Sequence, residues 1–154
     1  MSVYPEAPVE TFHFLPSQIP VQIAGAYTAG DVVGGALSAD FSNKGSNIGW
    51  LETLFLHDIN DEATNITVYV FEGTPAAILD DAAMAISETD APKLLYVWAI
   101  TTWTATLSRN YKEVTGLHLP FDMRRGLTFY IVDASGVTFT EVESFELLAR
   151  VARR

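Results

Sequence analysis

The chain contains no cysteine. Its absence excludes disulfides, thiol nucleophiles and Cys-ligated zinc. Basic residues are scarce: nine Lys and Arg stand against nineteen Asp and Glu, for a net charge of −10. Binding phosphates needs clustered cations, so nucleic acid is not an expected partner. Long hydrophobic runs are also missing. The longest, residues 94–100 (LLYVWAI), falls far below the roughly 20 apolar residues that a membrane-spanning helix needs, and no membrane partner is expected. No basic segment followed by an apolar stretch comes after Met1, so no secretory signal is expected and the reading is of a protein made and assembled in the cytoplasm of a cell.

Chemical signatures are equally sparse. His13, His57 and His118 are isolated, each flanked by apolar residues, whereas a cupin-like metal site needs closely spaced histidines on one strand. They read as half-buried strand residues. His57 stands beside Asp58, but adjacent strand residues point to opposite faces and cannot meet in a regular strand. Ser108, Ser135 and Ser144 lack a nucleophile-elbow context. The GDVVGG run at residues 30–35 has no GK[ST] ending and no helical pattern behind it, so it is not a phosphate loop. The expectation is no catalytic residue, no cofactor, no metal and no enzymatic activity.

Apolar material is abundant instead. Hydrophobic residues make up 49% of 154, charged residues 18%, and the mean hydropathy is +0.19. That length suits one domain with a real core, and the excess apolar surface points to burial between subunits. Residues 48–73 (IGWLETLFLHDINDEATNITVYVFEG) form the stretch around which the rest is organised. Two apolar and β-branched runs, 50–57 and 66–71, flank a polar acidic turn at 58–65. Alternation places Trp50, Leu54 and Leu56 on one face and Leu51, Phe55 and His57 on the other. Both runs are apolar on both faces, which suits a sheet covered on each side by another sheet or a neighbouring subunit. The pattern predicts a central antiparallel hairpin.

Residues 1–20 carry four of the seven prolines, Pro5, Pro8, Pro16 and Pro20, which excludes a helix or a central strand. They also carry Tyr4, Phe12 and Phe14, which a free tail would leave in water. An extended N-terminal arm laid on the body or on another subunit is expected, followed by a single domain over 21–154. Glycine-cut β-like runs follow in 21–41. Residues 74–92, rich in alanine with Ile78, Leu79, Met84 and Ile86, predict a short helix or helical turns closed by Pro92. Strand character returns from Leu94. Eight to nine short strands spaced by turns predict an all-β antiparallel sandwich with one short helical insertion.

Two charge patterns remain. Residues 58–90 hold eight acids and no Lys or Arg; such a run reads as a solvated face, although Asp58, Asn60, Asp61 and Glu62 have the oxygen chemistry to hold Ca²⁺. The EF-hand pattern is not met. Asn65-Ile66-Thr67 matches a glycosylation sequon only by chance in this reading. Arg124 and Arg125 share one turn, and Arg150, Arg153 and Arg154 close the sequence. If these basic groups face away from the acids, the molecule is electrostatically polar, which favours oriented docking.

The proline-rich arm, AYTAGDVVGG, GWLETLFLHD, TVYVFEGTP, the acidic alanine segment and GLTFYIV together resemble the capsid decoration, or cement, proteins of tailed bacteriophages, which are jelly-roll-like sandwiches. The likeness is one of layout from Ala24 onward, with no catalytic or metal motif behind it. It implies a non-enzymatic subunit on the capsid exterior that forms a homotrimer, sits over junctions of the major capsid protein and clamps them. Interface anchors under that reading are Tyr4, Phe12, Phe14, Trp50, Trp98, Arg124 and Arg125. A carbohydrate- or receptor-binding sandwich is the alternative, in which exposed aromatics such as Trp50, Trp98 and Trp103 stack on sugar rings.

Overall fold

The computed structural model describes residues 10–14, 19–20, 27–42, 47–58, 64–107, 109–136, 138–139 and 143–153. These residues build two antiparallel sheets. The strands are β1 (Glu10–Phe14), β2 (Ile19–Pro20), β3 (Val32–Ala39), β4 (Ile48–Asp58), β5 (Ile66–Glu72), β6 (Leu94–Ile100), β7 (Thr104–Ala105), β8 (Asn110–Val114), β9 (Leu119–Asp122), β10 (Leu127–Asp133) and β11 (Glu143–Arg153). The larger sheet has the order β1-β11-β4-β8-β7, with β2 also on β11 and β9 also on β4; the smaller has the order β3-β10-β5-β6.

The pairing is nested. β1 lies against β11, β3 against β10, β4 against β8 and β9, and β5 against β6. The chain therefore pairs as one long hairpin, rolled so that successive pairs fall in alternate sheets. That is the jelly-roll arrangement of the double-sheet β folds, and the expected all-β sandwich is what the chain forms.

The expected central hairpin does not form. β4 and β5 belong to different sheets, and residues 59–63, in the turn between them, lie outside the described residues. Each sits inside its own sheet, β4 between β11 and β8 and β5 between β10 and β6; the outer side of β5 is covered through Tyr69 and Phe71 by a second apolar cluster, whereas β4 keeps Trp50, Phe55 and His57 partly exposed.

The expected faces of β4 also change, because its alternation breaks. Arg150 pairs with Thr53 and Val151 with Leu51, which leaves Glu52 as an extra residue, a β-bulge. Beyond the bulge the inward positions shift by one. Leu51, Leu54, Leu56 and Asp58 are all fully buried, while Trp50, Phe55 and His57 stay partly exposed. Trp50 therefore does not share a face with Leu54 and Leu56.

The core between the sheets is continuous. Leu51, Leu54 and Leu56 meet Phe145, Leu147, Ala149 and Val151 along the larger sheet, and Val68, Val70, Phe129 and Ile131 from the smaller. Every residue of β10 is buried, on both faces. Its outer side, with Val32, Phe71, Tyr130 and Val132, is covered by a second apolar cluster that takes in Ile78 and Met84.

That cover is the segment expected to be helical. Its only helical turn is a 3-10 turn at Ala91–Lys93; residues 74–90 form an extended strap. The reason is where its backbone groups bond. Ala82 O accepts from Val32 N at 2.8 Å, Asp81 N donates to Val32 O at 2.9 Å, and Met84 N donates to Gly30 O at 2.8 Å. Tertiary bonds to the edge of β3 replace the local ladder, so alanine propensity is overridden. Asp80 fastens the strap by accepting from the hydroxyl of Tyr27 and the amide of Gly34, both at 2.7 Å. Asp90 holds its far end, accepting from Ala76 N at 3.0 Å, Ser87 Oγ at 2.8 Å and Lys93 Nζ at 2.7 Å.

Candidate interaction surface

The bulge at Glu52 turns a row of rings onto the outer face of the larger sheet. Trp50 stacks on His118, with centroids 4.5 Å apart and planes 18° from parallel. Phe55 stacks on Tyr111 at 5.4 Å and 14°, and meets His57 edge-on at 4.5 Å. The register explains the grouping, since Trp50 lies opposite Pro120 on β9 and His57 opposite Tyr111 on β8. His118, just before β9, adopts φ 51, a left-handed conformation uncommon for a side chain with a Cβ.

Carboxylates border the rings. Glu52 Oε1 lies 3.0 Å from His118 Nδ1, and Glu146 Oε1 lies 3.6 Å from His57 Nδ1. His57 thus has an acid beside it, but it is Glu146 of β11 rather than the sequence neighbour Asp58, and His118 has Glu52 of β4. Asp58 itself points inward, fully buried, with Asn110 Nδ2 at 3.4 Å. Among the described residues no group of three or more His, Asp or Glu side chains is arranged to hold a metal ion. Asn60, Asp61 and Glu62 of the acidic loop lie outside the described residues.

The expected anchors are scattered. Trp50 is on the ring face. Trp98, by contrast, is only 7% exposed and belongs to the core between the sheets, because Tyr96, Trp98 and Ile100 share the inward side of β6. It is available neither to a sugar nor to a partner. Trp103 is half-buried, its indole N–H donating to Thr64 O at 2.8 Å and its ring stacked on Phe145. Phe12 and Phe14 lie in β1, opposite Val151 and Ala149 of β11; Tyr4 lies outside the described residues.

Arg124 and Arg125 sit on the turn between β9 and β10, two-thirds exposed. Arg124 grips Asp122 with Nε at 2.9 Å and Nη2 at 2.7 Å, and Arg125 Nη1 lies 3.2 Å from Glu72. The side-chain hydrogen bond from Arg124 holds the Asp122 carboxyl down to about 2. Shallow hollows of about 350 and 380 Å³ flank Arg124. The corner is an ion-pair cluster whose cations are matched by Asp122 and Glu72, so it contributes little net positive field.

The sequence reading missed Tyr111 and Glu52, and His118, expected as a half-buried strand residue, lies just before β9 with its side chain 63% exposed. Their signal was present only across strands: an aromatic at 111 and a histidine at 118 reach Phe55 and Trp50 through register, which no local spacing encodes.

No family model matches the chain and no curated protein matches it. Among solved structures it is similar to the VP2 subviral particle of infectious bursal disease virus, at 10% identity and a TM-score of 0.27, over 99% of this chain and 44% of that one. The chain thus spans less than half the length of that protein. The jelly-roll assignment rests on the strand order alone.

Proposed function

We propose that the protein is a non-enzymatic structural component of a virion, a decoration or cement subunit that docks on the exterior of a capsid over the major capsid protein. The observation that carries this reading is the ring face on the larger sheet. Trp50 with His118, and Phe55 with His57 and Tyr111, place two groups of partly exposed rings with acidic borders on the outer face of the larger sheet. Aromatic anchors ringed by polar groups are how protein interfaces concentrate their energy. A jelly roll is also an architecture that capsid domains use. Many weak contacts repeated over a shell raise avidity by about two to four orders of magnitude without any catalytic centre.

Co-sedimentation with shells assembled from the cognate major capsid protein tests this. The native chain is expected to pellet with the shells, and Trp50→Ala to remain in the supernatant. A native chain that never pellets would sink the proposal.

The ring face also favours a second reading, a glycan-binding module, since jelly rolls serve lectins as well and Trp50 offers a flat apolar surface. A glycan screen separates the two: saturable binding of a sugar, lost in Trp50→Ala, supports this reading.

A further inference from the structure

We infer that the protein pairs with a second copy of itself through the flank formed by residues 94–107, with β6 of one copy adding antiparallel to β6 of the other. The small sheet has two edges of different character. The β3 edge is blocked at its start by the strap, through the bonds to Gly30 and Val32, the bridge between Asp31 and Ala83, and Asp80 on the amide of Gly34. The β6 edge is open: among the described residues no strand and no backbone hydrogen bond meets it on the side away from β5. An open edge presents a row of unpaired N–H and C=O groups, a template for another strand.

Edges are normally protected by charge or proline, and this one has neither. Between Lys93 and Arg109 there is no Asp, Glu, Lys, Arg or Pro. The same uncharged segment crosses to the larger sheet and supplies β7, the last strand on that side. Lys112 Nζ, 3.2 Å from Thr102 Oγ1, ties the crossing to β8. Residues 94–107 themselves are therefore neutral, bordered by Lys112 on β8, with Val97 43% exposed, Leu107 fully exposed, and Thr104 and Ala105 exposed.

Charge identifies the occupant. Each copy carries −10, so two copies repel wherever acidic faces meet. A neutral flank meets its own image without that penalty, whereas a basic partner would gain more from the acidic faces. Pairing a strand with its own image in antiparallel fashion is a twofold, self-complementary contact. The contact therefore closes at two copies, in place of the homotrimer that the resemblance implies.

The test uses the purified full chain with no shell present, so it stands apart from the capsid reading. Light scattering at micromolar concentration is expected to return the dimer mass. Val97→Lys and, independently, Ala99→Lys place cations on the seam from exposed positions, and each is expected to weaken association at least tenfold while the circular dichroism stays β-rich. Leu79→Lys, on the strap, should leave the dimer intact. In hydrogen exchange, the β6 amides facing away from β5 should be slow in the concentrated protein and fast on dilution. A native chain that is monomeric or trimeric, or seam variants that dimerise as tightly as the parent, would overturn the inference.

Discussion

His118 lies flat on Trp50 while its Nδ1 reaches Glu52 across 3.0 Å. Trp50 and the bulged Glu52 are two residues apart on β4, and His118 comes from the approach to β9. The bulge therefore presents an aromatic and an acid together to one histidine, whose ring covers one face of the indole. A preset anchor loses less conformational freedom on binding than a loose one.

Trp50 and Trp98 should behave oppositely when truncated. Trp50→Ala is expected to weaken docking by about 2 kcal/mol or more and to leave the unfolding midpoint almost unchanged. Trp98→Ala removes a core side chain and should cost about 3–5 kcal/mol of stability. Denaturant titration beside a binding assay reads both; equal loss of stability in the two variants would contradict the assignment of faces.

Asp90 makes the strap sensitive to acid. Hydrogen bonds from Lys93, then Ala76 and Ser87, lower its carboxyl from the ordinary 3.8 to about 2. A depressed folded value gives stability that is complete above the unfolded value and is lost as pH falls through the folded one. The stability difference between the native chain and Asp90→Asn should thus be constant above about pH 5 and shrink toward pH 2. Thermal melts across that range measure it; a difference that grew on acidification would refute the assignment.

Gly126 occupies φ 73 in the turn after Arg125, and a Cβ there would press on the carbonyl oxygen of Ala39. Gly126→Ala should cost about 1–3 kcal/mol from left-handed strain alone, with the clash added. Urea unfolding of this variant should show a lower midpoint at unchanged slope.

Arg125→Ala is expected to change stability by less than about 1 kcal/mol, since its pair with Glu72 is exposed to solvent. A larger loss at low salt that vanished at high salt would reveal a stronger electrostatic role for this corner than its geometry gives.

Fold class was legible because it needs only strand count, turn spacing and apolar content. Strand order was not. The hairpin between residues 50–57 and 66–71 was the economical reading of two adjacent apolar runs, yet a short connection can equally cross between sheets, and composition is the same in both cases. The face assignment failed at Glu52, since a bulge adds one residue and inverts all that follows. The strap misled through its alanines, whose local preference lost to bonds from β3. Trp98 was expected at the surface and lies in the core, because an aromatic in a doubly apolar strand gives no sign of which side is closed.

The strap has one more consequence. Because the strap bonds to Gly30 and Val32 and Asp80 caps the amide of Gly34, an incoming strand cannot pair along the first part of β3. A ribbon running through successive small sheets would meet that obstacle at every β3. The strap thus acts as a built-in guard against strand-to-strand polymerisation through that end of the sheet.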